Sequence, residues 1–301
     1  MRKSKRPLMI ILIVCCVLAV ACSGVLIWIR MEQNRVEKAL NNARKDPESI
    51  ASETVQTYPP KTDTPEVNPS IEQPDKPTAS QDSETADPTM TVPEYPENPA
   101  EPAEIPYDFD YLHGINPDIY AWLQLNCTGQ EFPVLSNDTD ADYYLHHDIY
   151  KNYSSLGSLY TQSVYNRIDF QDACTIIYGH NMGTGSMFGA LEAYTINRNL
   201  DDDTAAGNYF ILYTTSKILT YRIACTGVYS TNHVLYYHNF YVEDDFNSFF
   251  EELRTYTDTV NFATNFTPTY GDNLVILSTC HQPNDYYRYL VVGVLVNQQG
   301  K

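Results

Sequence analysis

Between residues 46 and 106 the chain carries thirteen of its eighteen prolines and no glycine, set among Glu, Asp, Thr and Ser. A segment of that composition cannot bury enough apolar surface to offset the entropy of ordering it. Proline without glycine keeps such a chain extended and semi-stiff, with a reach of ~3.1 Å per residue. The segment therefore lies outside any packed core and divides the sequence in three. Residues 1–30 are a short tail and an apolar run. Residues 31–106 are a polar juxtamembrane stretch followed by the Pro/Glu/Thr-rich linker, which reads as an extracellular spacer lifting a domain off a membrane. Residues 107–301 hold what can fold, long enough for one domain with a substantial core.

The first seven residues include Arg2, Lys3, Lys5 and Arg6, and Leu8 to Ile29 is uncharged and almost wholly apolar. As a helix that run spans roughly 30 Å of hydrocarbon. Basic residues before it favour a cytoplasmic N-terminus. The expectation is a single-pass anchor in the cell membrane with everything after residue 30 outside. Two rival readings are a signal peptide cleaved near Ala19-Val20-Ala21 and a lipobox ending at Cys22. Each of the three exports the rest of the chain. A net charge of −19 argues against a nucleic-acid partner, because phosphate binding needs clustered Lys and Arg.

Beyond residue 107 short apolar runs alternate with Asn, Asp and Gly. A short helix is expected near Asp108–His113. Strands are expected near Ile119–Leu125, Glu131–Leu135, Gly157–Thr161, Cys174–Tyr178, Tyr209–Tyr213, Ile218–Ser230, Leu274–Thr279 and Tyr289–Val296. Many short strands with turn signals between them suggest an antiparallel sandwich or barrel. Helical patterns interrupt them at Ser186–Tyr194 and Asp244–Tyr256. In the second, Phe246, Phe249, Phe250, Leu253 and Tyr256 fall on one face.

Two of these runs end in residues that can do chemistry. Thr175-Ile176-Ile177-Tyr178-Gly179 delivers His180, and Leu274-Val275-Ile276-Leu277-Ser278-Thr279 delivers Cys280. A third run begins just after Arg288. Strand ends hold side chains rigidly where a substrate can reach them, and three such groups converging make a Cys/His nucleophilic site with a cationic helper. Arg288 opens the partner strand of an expected hairpin, which brings it near Cys280. A cation there stabilises a thiolate and offers hydrogen bonds to an oxyanion. His281 is adjacent to Cys280 and points to the opposite face of an extended chain, so it reads as a rim residue.

The remaining candidates read as structural. Cys127, Cys174 and Cys225 form no C-x-x-C pair and read as small buried hydrophobes, with one disulfide among them left open. His146 and His147 beside Asp148 form a surface pair without a third metal ligand. Gly183 to Gly189 misses a dinucleotide-loop spacing by one residue. Asp201-Asp202-Asp203 lacks the interleaved pattern of a calcium loop.

Tyr178-Gly179-His180-Asn181-Met182, Gly185-Ser186-Met187-Phe188-Gly189 and Leu277-Ser278-Thr279-Cys280 with Arg288 eight residues on together resemble the class B sortases. These are cysteine transpeptidases of Gram-positive bacterial surfaces. Ile115-Asn116-Pro117-Asp118, Trp122, Pro133-Val134 and Tyr143-Tyr144-Leu145 before His147-Asp148 are similar to that class too, so the resemblance runs over residues 108–298. One departure is Asp140-Ala141-Asp142, where the class often carries Asn before Tyr-Tyr-Leu.

The resemblance implies a mainly β fold with peripheral helices, a closed eight-stranded sortase barrel. It implies that Cys280 attacks a carbonyl in a C-terminal sorting signal of a secreted protein, that His180 moves protons and that Arg288 stabilises the oxyanion. Ser278, Thr279, Tyr143, Tyr144 and Asn181 are implied as substrate-binding residues. The thioacyl enzyme would be resolved by an amine of a peptidoglycan precursor, with no metal or other cofactor. Two alternatives stand beside this. One is a pilus-type enzyme joining subunits through a lysine. The other is a stalked, non-catalytic binding module on the same scaffold.

Overall fold

The computed structural model describes residues 30–31, 34–39, 41–45, 104–182, 185–194, 198–256, 259–281 and 286–300. The expected membrane span, Leu8 to Ile29, lies outside the described residues, as do Cys15, Cys16, Cys22 and positions 46–103. No helix among the described residues is long and apolar enough to cross a membrane.

Among the described residues nine strands follow the short helix α1 (Phe109–Ile115): β1 (Ile119–Leu125), β2 (Gln130–Asn137), β3 (Leu159–Gln162), β4 (Cys174–Tyr178), β5 (Tyr209–Tyr213), β6 (Lys217–Ser230), β7 (Val260–Phe262), β8 (Leu274–Cys280) and β9 (Tyr287–Gly300). They hydrogen-bond in the order β5-β1-β2-β3-β4-β8-β9-β6, and β5 pairs back onto β6. Eight strands thus close a barrel. The ninth, β7, lies along the far half of β6, opposite Cys225 to Gly227, while the near half of β6 pairs with β5.

The barrel is not antiparallel throughout, as the run of short strands suggested. β2–β3 and β4–β8 are parallel. Parallel neighbours need long connections. Residues 138–158 supply one, and everything between Tyr178 and Leu274 supplies the other. Strand periodicity is identical in both directions, so the runs themselves did not encode this.

Two apolar clusters hold the fold. The larger fills the barrel, with Leu123, Ile176, Phe210, Tyr221, Ile223, Ile276 and Val292 at its centre. The same cluster takes in α3 (Glu243–Thr255), which buries Phe246, Phe249, Phe250 and Leu253 on one face. Each such side chain contributes about 1.5–3 kcal/mol on burial. Glu243, Asp244 and Asp245 occupy its first turn, where the helix dipole favours negative charge. The expected helix over Ser186–Tyr194 shrinks to a 3-10 segment, Phe188–Ala193. An antiparallel bridge joins Asn181 to Met187, whose φ of 52° is not helical, so the helical turns begin only at Phe188. The four-residue helix α2 (Val234–Tyr237) and the three-residue β7 are too short to have been read from pattern.

The second cluster covers the outer face of β1 and β2, where Trp122 stacks on Tyr107 at 4.5 Å. It contains a surprise. Ala39 and Ala43, from the stretch read as polar juxtamembrane chain, are buried in it. Residues 34–39 and 41–43 are helical. Arg44 pairs with Glu131 at 2.7 Å, and Arg35 with Asp148 at 2.6 Å. Lys45 N donates to the Pro106 carbonyl, and Asp108 N to that of Ala43. The packed unit therefore includes residues 34–39 and 41–45 and begins again by Ile105, which is buried. The two ends that flank positions 46–103 meet on one patch of the barrel.

Candidate active site

β4 and β8 lie side by side with Tyr178 opposite Ser278 and Ile176 opposite Ile276. Their apolar positions are buried on both faces, as expected for a parallel pair inside a closed sheet. The register has a simple consequence. Two residues past Tyr178 is His180, and two past Ser278 is Cys280, so both strand tips deliver their polar residue at one level. Three hydrogen bonds tie the tips: Gly179 N to the Ser278 carbonyl, Thr279 Oγ1 to the Gly179 carbonyl at 2.7 Å, and Asn181 Nδ2 to the Cys280 carbonyl at 3.0 Å. Gly179 leaves room for the side chains of Leu159 and Phe188, which a Cβ there would strike.

On the other side of β8, Cys280 is the direct antiparallel partner of Arg288. Directly opposed residues project to the same face, with Cβ atoms ~5 Å apart. His180, Cys280 and Arg288 accordingly line one groove of about 230 Å³, together with Ser278 and Thr279. The Arg288 charge and Cys280 both act on the phenol of Tyr160, another lining residue.

The tautomer of His180 follows from its neighbour. Nε2 lies 2.8 Å from the Leu145 carbonyl oxygen. A carbonyl only accepts, so Nε2 carries the hydrogen and Nδ1 keeps the lone pair. The Leu145 carbonyl is itself held from behind. Gly157, at φ +56°, packs so close that a Cβ there would lie 2.5 Å from that oxygen.

The opposite wall was not read from sequence. Asp142 Oδ1 accepts from Gln162 Nε2 at 2.7 Å, which turns Gln162 Oε1 toward His233 Nε2, also at 2.7 Å. Tyr178 OH lies 3.0 Å from the same nitrogen. Burial holds the His233 imidazole below its ordinary pKa, so it is a neutral ring with hydrogen on Nε2. Leu145, Tyr160, Gln162, Tyr178 and His233 all line the groove. The rule that singled out Cys280, a polar residue just past an apolar strand, would have found His233 beyond Ser230.

The other expected residues fall elsewhere. Tyr144 is fully buried, donating to Asp118 at 2.6 Å and accepting from Asn116. Tyr143 stacks on the His147 ring at 3.8 Å. Neither lines the groove, and Asn181 contributes through its bond to the Cys280 backbone. The His281 ring lies against Tyr289, and the His281 backbone N–H donates to the Tyr287 carbonyl.

No grouping of His, Cys, Asp and Glu among the described residues can hold a metal. His147 Nδ1 sits on the Tyr143 carbonyl, and Asp201 caps a turn by accepting from Thr264 and Asn265. The four cysteines among the described residues are all free thiols. Burial pushes Cys225 up to about 12 and Cys174 well above the usual thiol range.

No family model matches the chain. Over 191 residues it is 32% identical to sortase B of Listeria monocytogenes, an alignment spanning 62% of this chain and 73% of the relative. It is 28% identical to sortase B of Staphylococcus aureus over 174 residues, 57% of this chain and 67% of that one. Among solved structures, sortase B from Bacillus anthracis superposes with a TM-score of 0.51 at 28% identity, covering 65% of this chain and 88% of the other. The barrel, the groove at its strand tips and these relatives agree: the chain belongs to the class B sortases and is a cysteine transpeptidase.

Proposed function

We propose that the groove cleaves a C-terminal sorting signal of secreted proteins and passes the acyl group to an amine of a cell-wall precursor. Cys280 passes its thiol proton to His180 Nδ1, and its sulfur attacks the carbonyl carbon of the scissile amide. Arg288 donates hydrogen bonds to the oxygen as it gains charge. The C–N bond breaks, and His180 gives its Nδ1 proton to the leaving amine, because Nε2 is committed to Leu145. A thioester on Cys280 remains. The incoming amine attacks it, surrenders a proton to His180 Nδ1, and Cys280 leaves as thiolate. Leu8 to Ile29 holds the enzyme in the membrane with the barrel outside. What carries this reading is the parallel β4–β8 register, which levels His180 with Cys280 while the β8–β9 register sets Arg288 beside it.

The test is turnover of the full chain on a library of quenched sorting-signal peptides, with either a peptidoglycan stem-peptide amine or a lysine side chain as acceptor. The expected result is cleavage with product joined to the stem amine, abolished by Cys280→Ala. Joining to the lysine alone would make this a pilus-type enzyme. Cleavage that survives Cys280→Ala would overturn the assignment.

A further inference from the structure

The Leu145 carbonyl that fixes His180 belongs to a loop stapled to itself. Ser158 N donates to the Tyr144 carbonyl, Ser154 N to that of His146, and Ser158 Oγ to that of His147. At the loop's centre is Asp148, whose side chain is 3% exposed. Its Oδ1 accepts from the backbone of Tyr150 and Asn152, both at 2.8 Å, which closes the turn over 148–152.

A buried carboxylate is costly unless paired. The cation that pairs with Asp148 comes from outside the barrel. Arg35, in the N-terminal helical segment, donates to Asp148 Oδ2 at 2.6 Å, with its guanidinium 4.3 Å from the centre of the Tyr150 ring. The helix is held in register by Ala39 and Ala43 in the outer cluster and by the Arg44–Glu131 pair. A continuous physical path therefore runs from Arg35 through Asp148 to the loop, to the Leu145 carbonyl, and to His180 Nε2.

We propose that Arg35 is a positioning residue for acyl transfer: by pairing with Asp148 it braces the 145–158 loop, so that the Leu145 carbonyl holds His180 in the Nε2–H tautomer with Nδ1 facing the reaction. The domain that does chemistry thus includes the helix preceding the proline-rich segment, and a barrel cut at residue 104 loses part of its active-site support. The inference rests on His180 being the acid–base group. It adds a group remote in sequence that tunes the reaction without touching substrate.

The experiment compares the full chain in detergent micelles with its Arg35→Gln, Arg35→Lys and His180→Ala variants. Turnover of a cleaved sorting-signal peptide is read alongside the His180 ring nitrogens by long-range proton–nitrogen NMR. Arg35 is half exposed, so neither replacement threatens the core. For Arg35→Gln the expectation is a kcat lower by about tenfold with KM within about twofold, since misplaced catalytic groups act on the chemical step. Its His180 ring should show a mixture of tautomers. Arg35→Lys should recover kcat to within about threefold. If His180→Ala turns over normally, the assignment of the groove itself fails. If His180→Ala is inactive but Arg35→Gln keeps wild-type kcat and a single Nε2–H tautomer, the brace is refuted, whatever happens to Tm.

Discussion

The parallel pair β4–β8 carries a cysteine near each end, and the two thiols have opposite surroundings. Cys174 opens β4 opposite Leu274, 3% exposed, with its thiol raised far above the usual range because burial disfavours the thiolate. Cys280 closes β8 in the groove, level with His180 and across from Arg288. The strands are equally apolar and equally buried between these points. What differs is the end: at one the thiol is enclosed by the core, and at the other the strand tip opens on the groove lined by His180, Cys280 and Arg288. In this fold reactivity is a property of the strand tip, and the same residue type is a packing unit twenty ångströms or so of strand away.

Exchanging reactivity for packing is the sharpest way to break that contrast. Cys280→Ala should lower transfer by at least ~10³-fold with Tm almost unchanged, because it removes the nucleophile and little buried surface. A fluorescent maleimide should label Cys280 in the wild type under native conditions, and peptide mapping of the variant should lose that site. Labelling at Cys174 or Cys225 in folded protein would erase the distinction between the two ends.

The tie between the tips comes next in size. Thr279 is buried and donates to the Gly179 carbonyl at 2.7 Å. Thr279→Val keeps the shape and leaves that carbonyl unsatisfied, at about 1–3 kcal/mol. His180 follows Gly179 directly, so activity should fall about tenfold while a stability loss of that order appears in urea unfolding. Full activity would mean that the tips are aligned by the strands alone.

At the buried end the expected effect is on stability only. Cys174→Ser places a hydroxyl where the thiol is buried, costing about 1–3 kcal/mol, and kcat per folded molecule should not move. Equilibrium unfolding and active-site titration together check both halves.

How much of this was legible beforehand follows the same division. The apolar runs of β1, β4, β5 and β8, and the polar residues that end two of them, stand in the sequence as they stand in the fold. So does the Cys280–Arg288 pairing, because a hairpin fixes its own register. The parallel direction of β4–β8 did not, since a period of two has no polarity. Leu145 was invisible because its contribution is a backbone carbonyl, and sequence reports side chains. Tyr143 and Tyr144 were placed with the substrate on resemblance, whereas Tyr144 serves a buried network with Asn116 and Asp118. The stretch 31–45 reads as a short polar helix, and its packing onto the barrel was missed because its buried face is made of small residues. Val36, Ala39 and Ala43 do recur at helical spacing, but alanines carry little hydrophobic signal beside Arg35, Lys38, Arg44 and Lys45.

The smallest effect belongs to the second histidine of the groove, and its sign is fixed by burial. His233 is partly buried, and its folded pKa lies below the unfolded value of about 6.5. Above 6.5 the ring is neutral in both states and contributes no pH dependence. As pH falls below 6.5 the unfolded chain takes up a proton that the native protein refuses, so unfolding gains and stability drops. The loss is complete once pH passes the folded pKa, where both states are charged. Gln162 Oε1, Tyr178 OH and the nearby Asp142 face the ring and favour hydrogen on Nε2, which the neutral form already supplies. His233→Gln removes the titration. The difference in unfolding free energy between wild type and variant should therefore be constant above pH 6.5 and shift toward the variant below it. A difference that stays flat from pH 7.5 to 5 would mean that the ring is as easily charged in the groove as in water. The wall opposite Cys280 would then be as wet as the tip that carries it.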